Sequence, residues 1–141
     1  MTSSTVVEQA VPLDVPEVLF AAGLPGFPGP RRFALVQWGE DGGPYSVMVD
    51  LEAPVVRFLV VPPQVFFPDY VVDLDDVVAS ALHLDDPDDC VLLVIVALGD
   101  RAEDATANLL GPIVINVRTL EGQQAVLGDS GHSTRVPLRG A

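Results

Sequence analysis

The chain has 141 residues and contains no lysine, a single cysteine and two histidines, and aromatic residues make up only 6% of it. With seven arginines against 20 acids its formal net charge is −13. A surface of that sign repels the phosphate backbone, which nucleic-acid binders neutralise with Lys and Arg, so direct nucleic-acid binding is not expected. Cys90 has no partner for a disulfide within the chain, which suits a reducing compartment. The longest apolar run, Cys90 to Leu98, is far short of the ~20 residues a bilayer-crossing helix needs. Met1 to Gln9 carry neither Lys nor Arg nor a long apolar stretch, unlike a secretory signal. These absences lead to the expectation of a cytoplasmic protein with no membrane contact.

Apolar residues, by contrast, are plentiful, at 49% of the chain. A single domain of this length buries roughly 68–70% of its unfolded surface, so a full core is available and wholesale disorder is excluded. Thirteen prolines and 12 glycines punctuate β-branched and apolar stretches at short intervals, the rhythm of an antiparallel β fold. Phe33 to Trp38 reads as a strand. Tyr45 to Leu51 alternates, with Tyr45, Val47 and Val49 on one face and Ser46, Met48 and Asp50 on the other. Arg57 to Val61 is ended by Pro62 and Pro63. Val91 to Leu98 is apolar on both faces, and its length and flanking Asp and Gly residues favour a central strand. Pro112 to Thr119 alternates again. Leu120-Glu121-Gly122 is expected to turn the chain into a return strand, Gln123 to Leu127.

One helix is expected after Asp75, which can cap it, with Val77, Val78, Ala81 and Leu82 sharing a face. Asp85 to Asp89 reads as a turn. Residues 1–9 and 139–141 are expected to be flexible ends around a domain spanning 10–138.

Catalytic chemistry has little to work with. Cys90 lacks the electropositive setting of a reactive thiolate and reads as a buried structural thiol. His83 ends the expected helix and His132 lies in a Gly/Ser-rich loop, and neither has a companion at metal-ligand spacing. Eight acids, with no Arg or Lys among them, fall between Asp69 and Asp89. They lack the loop glycine and distal Glu of an EF-hand. A solvated acidic face, a protein-binding patch, and an acidic metal- or small-ligand-binding β-barrel are the readings that compete for them. Gly23-Leu-Pro-Gly26-Phe-Pro-Gly29 is glycine-rich, but its prolines remove N–H groups a phosphate would need, so it reads as a tight turn. No catalytic residue, metal or cofactor is expected.

The motifs taken in order carry a resemblance. Gly23-Leu-Pro-Gly-Phe27 is followed by Phe66-Phe-Pro-Asp-Tyr70, then Thr106-Ala-Asn-Leu-Leu-Gly-Pro-Ile-Val-Ile-Asn116, Gly122-Gln-Gln-Ala-Val-Leu127 and Arg135-Val-Pro-Leu138. This series, over about residues 11–138, resembles the FliW family of flagellar assembly factors. The resemblance implies a mostly β fold: a single antiparallel β-barrel-like domain with one or two short helices. It also implies a regulator, not an enzyme, that binds the translational regulator CsrA and flagellin and relieves CsrA repression of flagellin mRNA. A monomer is expected when neither partner is bound. Phe67, Asp69, Tyr70, Asn108 and Asn116 are the interface residues the motifs suggest. Asp73, Asp75 and Asp76 join them from the acidic stretch, which would repel RNA from a docked partner. Asn116 has an alternative role, satisfying backbone groups at a strand end.

Overall fold

In the computed structural model the described residues are 4–7, 17–24, 27–38, 44–53, 56–101, 104–128 and 131–138. Their strands are β1 (Ser4–Val7), β2 (Val18–Phe20), β3 (Gly23–Leu24), β4 (Phe27–Pro28), β5 (Arg31–Gln37), β6 (Ser46–Asp50), β7 (Arg57–Val61), β8 (Val72–Asp75), β9 (Cys90–Ala97), β10 (Thr106–Ala107), β11 (Ile113–Asn116), β12 (Glu121–Gln124) and β13 (Val136–Pro137). One α-helix, α1 (Asp76–Ala81), and two 3-10 turns, Pro63–Val65 and Pro87–Asp89, complete the described elements.

Seven strands close a barrel in the order β11-β12-β2-β5-β6-β7-β9, with β9 returning to β11. The pairings are antiparallel except at β12–β2, a parallel seam where Glu121 faces Leu19 and the Leu19 N–H donates to the Leu120 carbonyl at 2.9 Å. β10 and β13 extend the sheet beyond the upper half of β9. Outside the barrel, β1 pairs antiparallel with β8, and α1 follows directly. Residues 4–7, placed by sequence in a mobile terminus, thus form a strand. Ser-Thr-Val-Val is rich in β-favouring side chains, and β8 offers it an edge. The remainder of 1–9, and 139–141, lie outside the described residues.

Two cores explain why β9 is apolar on both faces. Val91 and Leu93 point into the barrel with Phe20, Phe33, Met48 and Ile113. Cys90, Leu92, Val94 and Val96 point outward, against Val72, Leu74, Val78 and Leu82 of the outer layer. A strand sandwiched this way keeps the period-2 geometry, but both of its faces must be apolar. β11 is built alike, with Ile113 and Ile115 inside and Val114 outside.

Several sequence expectations shift in detail. In β6, where alternation left open which face is inside, the fully buried pair is Met48 and Asp50, not the more apolar Val47 and Val49. Asp50 tolerates the interior because the Arg31 guanidinium pairs with it and the N–H groups of Glu52 and Ala53 donate to its Oδ1. Burial acts to raise its pKa, but these N–H groups and the Arg31 charge outweigh burial and hold it below the usual carboxylate value. On α1 only Val78 and Leu82 of the four expected face residues are buried, while Val77 is 74% exposed and Ala81 is exposed. A helix of six residues lays only a narrow strip, i and i+4, on its support.

The hairpin after β11 turns earlier than expected, through Val117–Leu120, and Glu121 and Gly122 already belong to β12. Asn116 sets this: its Oδ1 accepts from the N–H groups of Arg118 and Thr119, and its carbonyl accepts from Leu120 N–H. Leu120 takes φ +61° to complete the turn. Gly122 lies in the barrel wall, where a Cβ would sit 2.8 Å from Cζ of Phe20. β3 and β4 pair antiparallel on either side of the expected glycine-rich turn, whose Pro25 and Gly26 lie outside the described residues, and Gly23 at φ +71° would bring a Cβ within 2.3 Å of the Phe27 carbonyl oxygen.

A candidate protein-binding face

Tyr70 ties together two motifs far apart in sequence. Its hydroxyl donates to the Leu109 carbonyl at 2.7 Å. Its ring meets His132 edge-on, with centroids 4.9 Å apart. Its N–H donates to the Phe67 carbonyl and its own carbonyl accepts from Gln64. Burial raises the phenol pKa above its ordinary value, so the hydroxyl stays a donor. The Phe66-Phe-Pro-Asp-Tyr70 turn is thereby locked onto the barrel, with Phe67 half-buried against the outer core and Asp69 exposed. Asn108 shapes the opposite segment, accepting from the N–H groups of Leu110 and Gly111 through Oδ1.

The chain then runs into β8, where alternation buries Val72 and Leu74 and exposes Asp73 and Asp75. Asp75 caps α1 as expected, its Oδ1 accepting from Val78 N–H at 3.0 Å. Asp76 occupies the first helical position and is exposed. Negative charge is favourable at this end of a helix. Beyond α1, His83 adopts φ +56° and faces Glu121 at 3.4 Å. Arg118 reaches Asp89 at 3.1 Å and Asp85 at 3.6 Å, partly balancing that end of the acidic stretch. No such ion pair involves Asp69, Asp73 or Asp76 among the described residues, and all three carboxylates are exposed.

Of the eight residues singled out by sequence, Asp69, Asp73, Asp75 and Asp76 lie at the surface, Phe67 and Asn108 at its margin. Tyr70 and Asn116 are buried, and Asn116 is completely so. Asn116 Nδ2 donates to the carbonyls of Leu82 and His83 at 2.8 and 3.2 Å, pinning the end of α1 to the barrel. Its amide serves α1 and its own turn. Sequence reasoning missed Arg118, whose role depends on the turn bringing it back to Asp85 and Asp89. Cys90 is buried, and burial pushes its thiol up to about 12. Among the described residues no group of three His, Cys, Asp or Glu converges as a metal site, and no helix is long and apolar enough to cross a membrane.

This arrangement, a closed barrel with an outer ribbon, has counterparts among known proteins. The family model described as FliW protein matches residues 3–138. The chain belongs to the FliW family. The flagellar assembly factor FliW of Bacillus licheniformis is 35% identical over 123 residues, which cover 87% of this chain and 85% of the relative. That of Bacillus subtilis is 34% identical with the same coverage. A crystal structure of the flagellar assembly factor FliW superposes with a TM-score of 0.82 at 30% identity, covering 96% of both chains. Tyr70 and Leu109 come from two of the sequence motifs and meet in the fold.

Proposed function

We propose that this FliW-family chain is a cytoplasmic, non-enzymatic regulator that binds CsrA and flagellin and relieves CsrA repression of flagellin synthesis. The observation that carries the reading is the exposed acidic surface at Asp69, Asp73 and Asp76 on a chain whose relatives are named flagellar assembly factors. An RNA-binding regulator must carry positive charge, and a strongly negative surface is complementary to it. Once docked, the same surface repels RNA from its partner. Asp69, Asp73 and Asp76 are assigned the contacts, with Phe67 and Asn108 shaping the margin. Tyr70, Asp75 and Asn116 hold the backbone that presents them.

Calorimetric titration with CsrA and with flagellin tests the proposal directly. Binding of each at micromolar concentration is expected, in the range of typical transient regulators. The absence of binding to both removes it.

A further inference from the structure

A groove of about 410 Å³ runs between β8 and the segment 125–128, with His132 at its margin. Its floor is apolar, made by the buried Leu74 and Val78. Its rims carry two valines with little to cover them, Val71 at 42% and Val126 at 69% exposure. Asp73 and Asp75 add exposed carboxylates on one side.

The backbone geometry of both walls suits an added strand. Asp73, Leu74 and Asp75, three consecutive residues, all line the groove. Asp73 and Asp75 point to the exposed face of β8, and Leu74 between them points to the buried one. Among the described strands β8 is paired on one side alone, with β1. On the opposite wall, Ala125 and Leu127 donate their N–H groups to the carbonyls of Pro112 and Leu110. Alternation then turns the Val126 N–H away from those carbonyls, toward the groove.

We infer that this groove takes up an extended, basic segment of a partner protein by strand addition. Apolar side chains of the segment fill the space over Leu74 and Val78, and its Lys or Arg residues meet Asp73 and Asp75. Charge selects this occupant over the alternatives. A second copy of a chain with net charge −13 and no lysine brings like charge to the same carboxylates, and a nucleic acid brings phosphates to them. The inference rests on the reading of this face as a partner surface, and adds the conformation and composition of what it recognises.

Its test is a titration of the ¹⁵N-labelled full chain with a capped peptide alternating Lys and Val, followed by amide shifts. The controls are an isomer with the same residues in two blocks and a Glu/Val peptide. The alternating peptide is expected to bind about tenfold more tightly than the block isomer, with shifts concentrated at residues 71–75 and 126–128. Val126→Glu, at an exposed position, should weaken it about tenfold while leaving the melting temperature unchanged. Equal binding of the two isomers, or shifts spread over Asp85 to Asp89, would reduce the effect to bulk charge and overturn the groove. A dimer of the unliganded chain in sedimentation that Val126→Glu dissolves would assign the groove to a second copy and overturn it too. Calorimetry with the two proteins named above separates the levels. If wild type binds neither, the partner reading fails. If wild type and Val126→Glu bind both equally and the peptide arms also fail, the groove alone is removed.

Discussion

Asn116 and Asp50 are the two buried polar side chains among the described residues, and each is retained by the backbone groups it satisfies. Replacing Asn116 with Ala would leave the carbonyls of Leu82 and His83, and the N–H groups of Arg118 and Thr119, without their partner. Each buried orphan group costs about 1–3 kcal/mol, and the two N–H groups near the surface recover water. A loss of about 3 kcal/mol is expected in urea unfolding, and an unchanged midpoint would show that the amide is dispensable. Asp50 gives a pH signature. Its folded pKa lies below its unfolded value of ~3.9, so in acid the unfolded chain takes up the proton first. The stability it contributes is present above the unfolded pKa and is lost as pH falls through the folded one. Melts from about pH 6 downward should therefore show a fall that Asp50→Asn, less stable at neutral pH, flattens. Residue roles of this kind were only partly legible. Asn116 reads as a strand residue or a cap, and nothing local says that Leu82 and His83 will lie beside it.

Elements were legible where periodicity or capping chemistry is strong. Helix α1 begins where Asp75 could be read as its cap, and Asp75→Ala is expected to lower stability by ~1 kcal/mol in denaturant titration. An unchanged midpoint would place the cap's contribution elsewhere. The buried face of α1 was less legible, because six residues cannot establish a helical period against four apolar candidates. In β6 the alternation was clear but did not reveal which face is buried. That choice follows from Arg31 on the neighbouring β5, which makes a buried Asp50 tolerable. The turn after β11 slipped from its expected place because Asn116 side-chain geometry outweighed the Glu-Gly signal.

At the scale of the molecule, charge governs encounter. If the acidic face meets a basic partner, raising salt should slow association more than it speeds dissociation. Reversing Asp73 and Asp76 to Lys, which leaves the Asp75 cap in place, should slow association with CsrA about tenfold at low salt. Stopped-flow traces that match wild type, from a variant with unchanged circular dichroism, would move the interface off this face.

Composition by itself determined the sign of the surface, the lack of disulfides and the scarcity of catalytic groups, since these depend on residue counts and not on arrangement. Local pattern marked six of the seven barrel strands and the helix cap, since alternation and capping act over a few residues, but not β2 or the short strands outside the barrel. The ordered motifs pointed to the family. Only the tertiary structure decided that β9 and β11 divide two cores, that Tyr70 meets Leu109, that Arg118 returns to Asp85 and Asp89, and that a groove opens between β8 and residues 125–128. Each of these joins segments distant in sequence, and such contacts follow from barrel closure and the outer ribbon, which no local window of residues encodes.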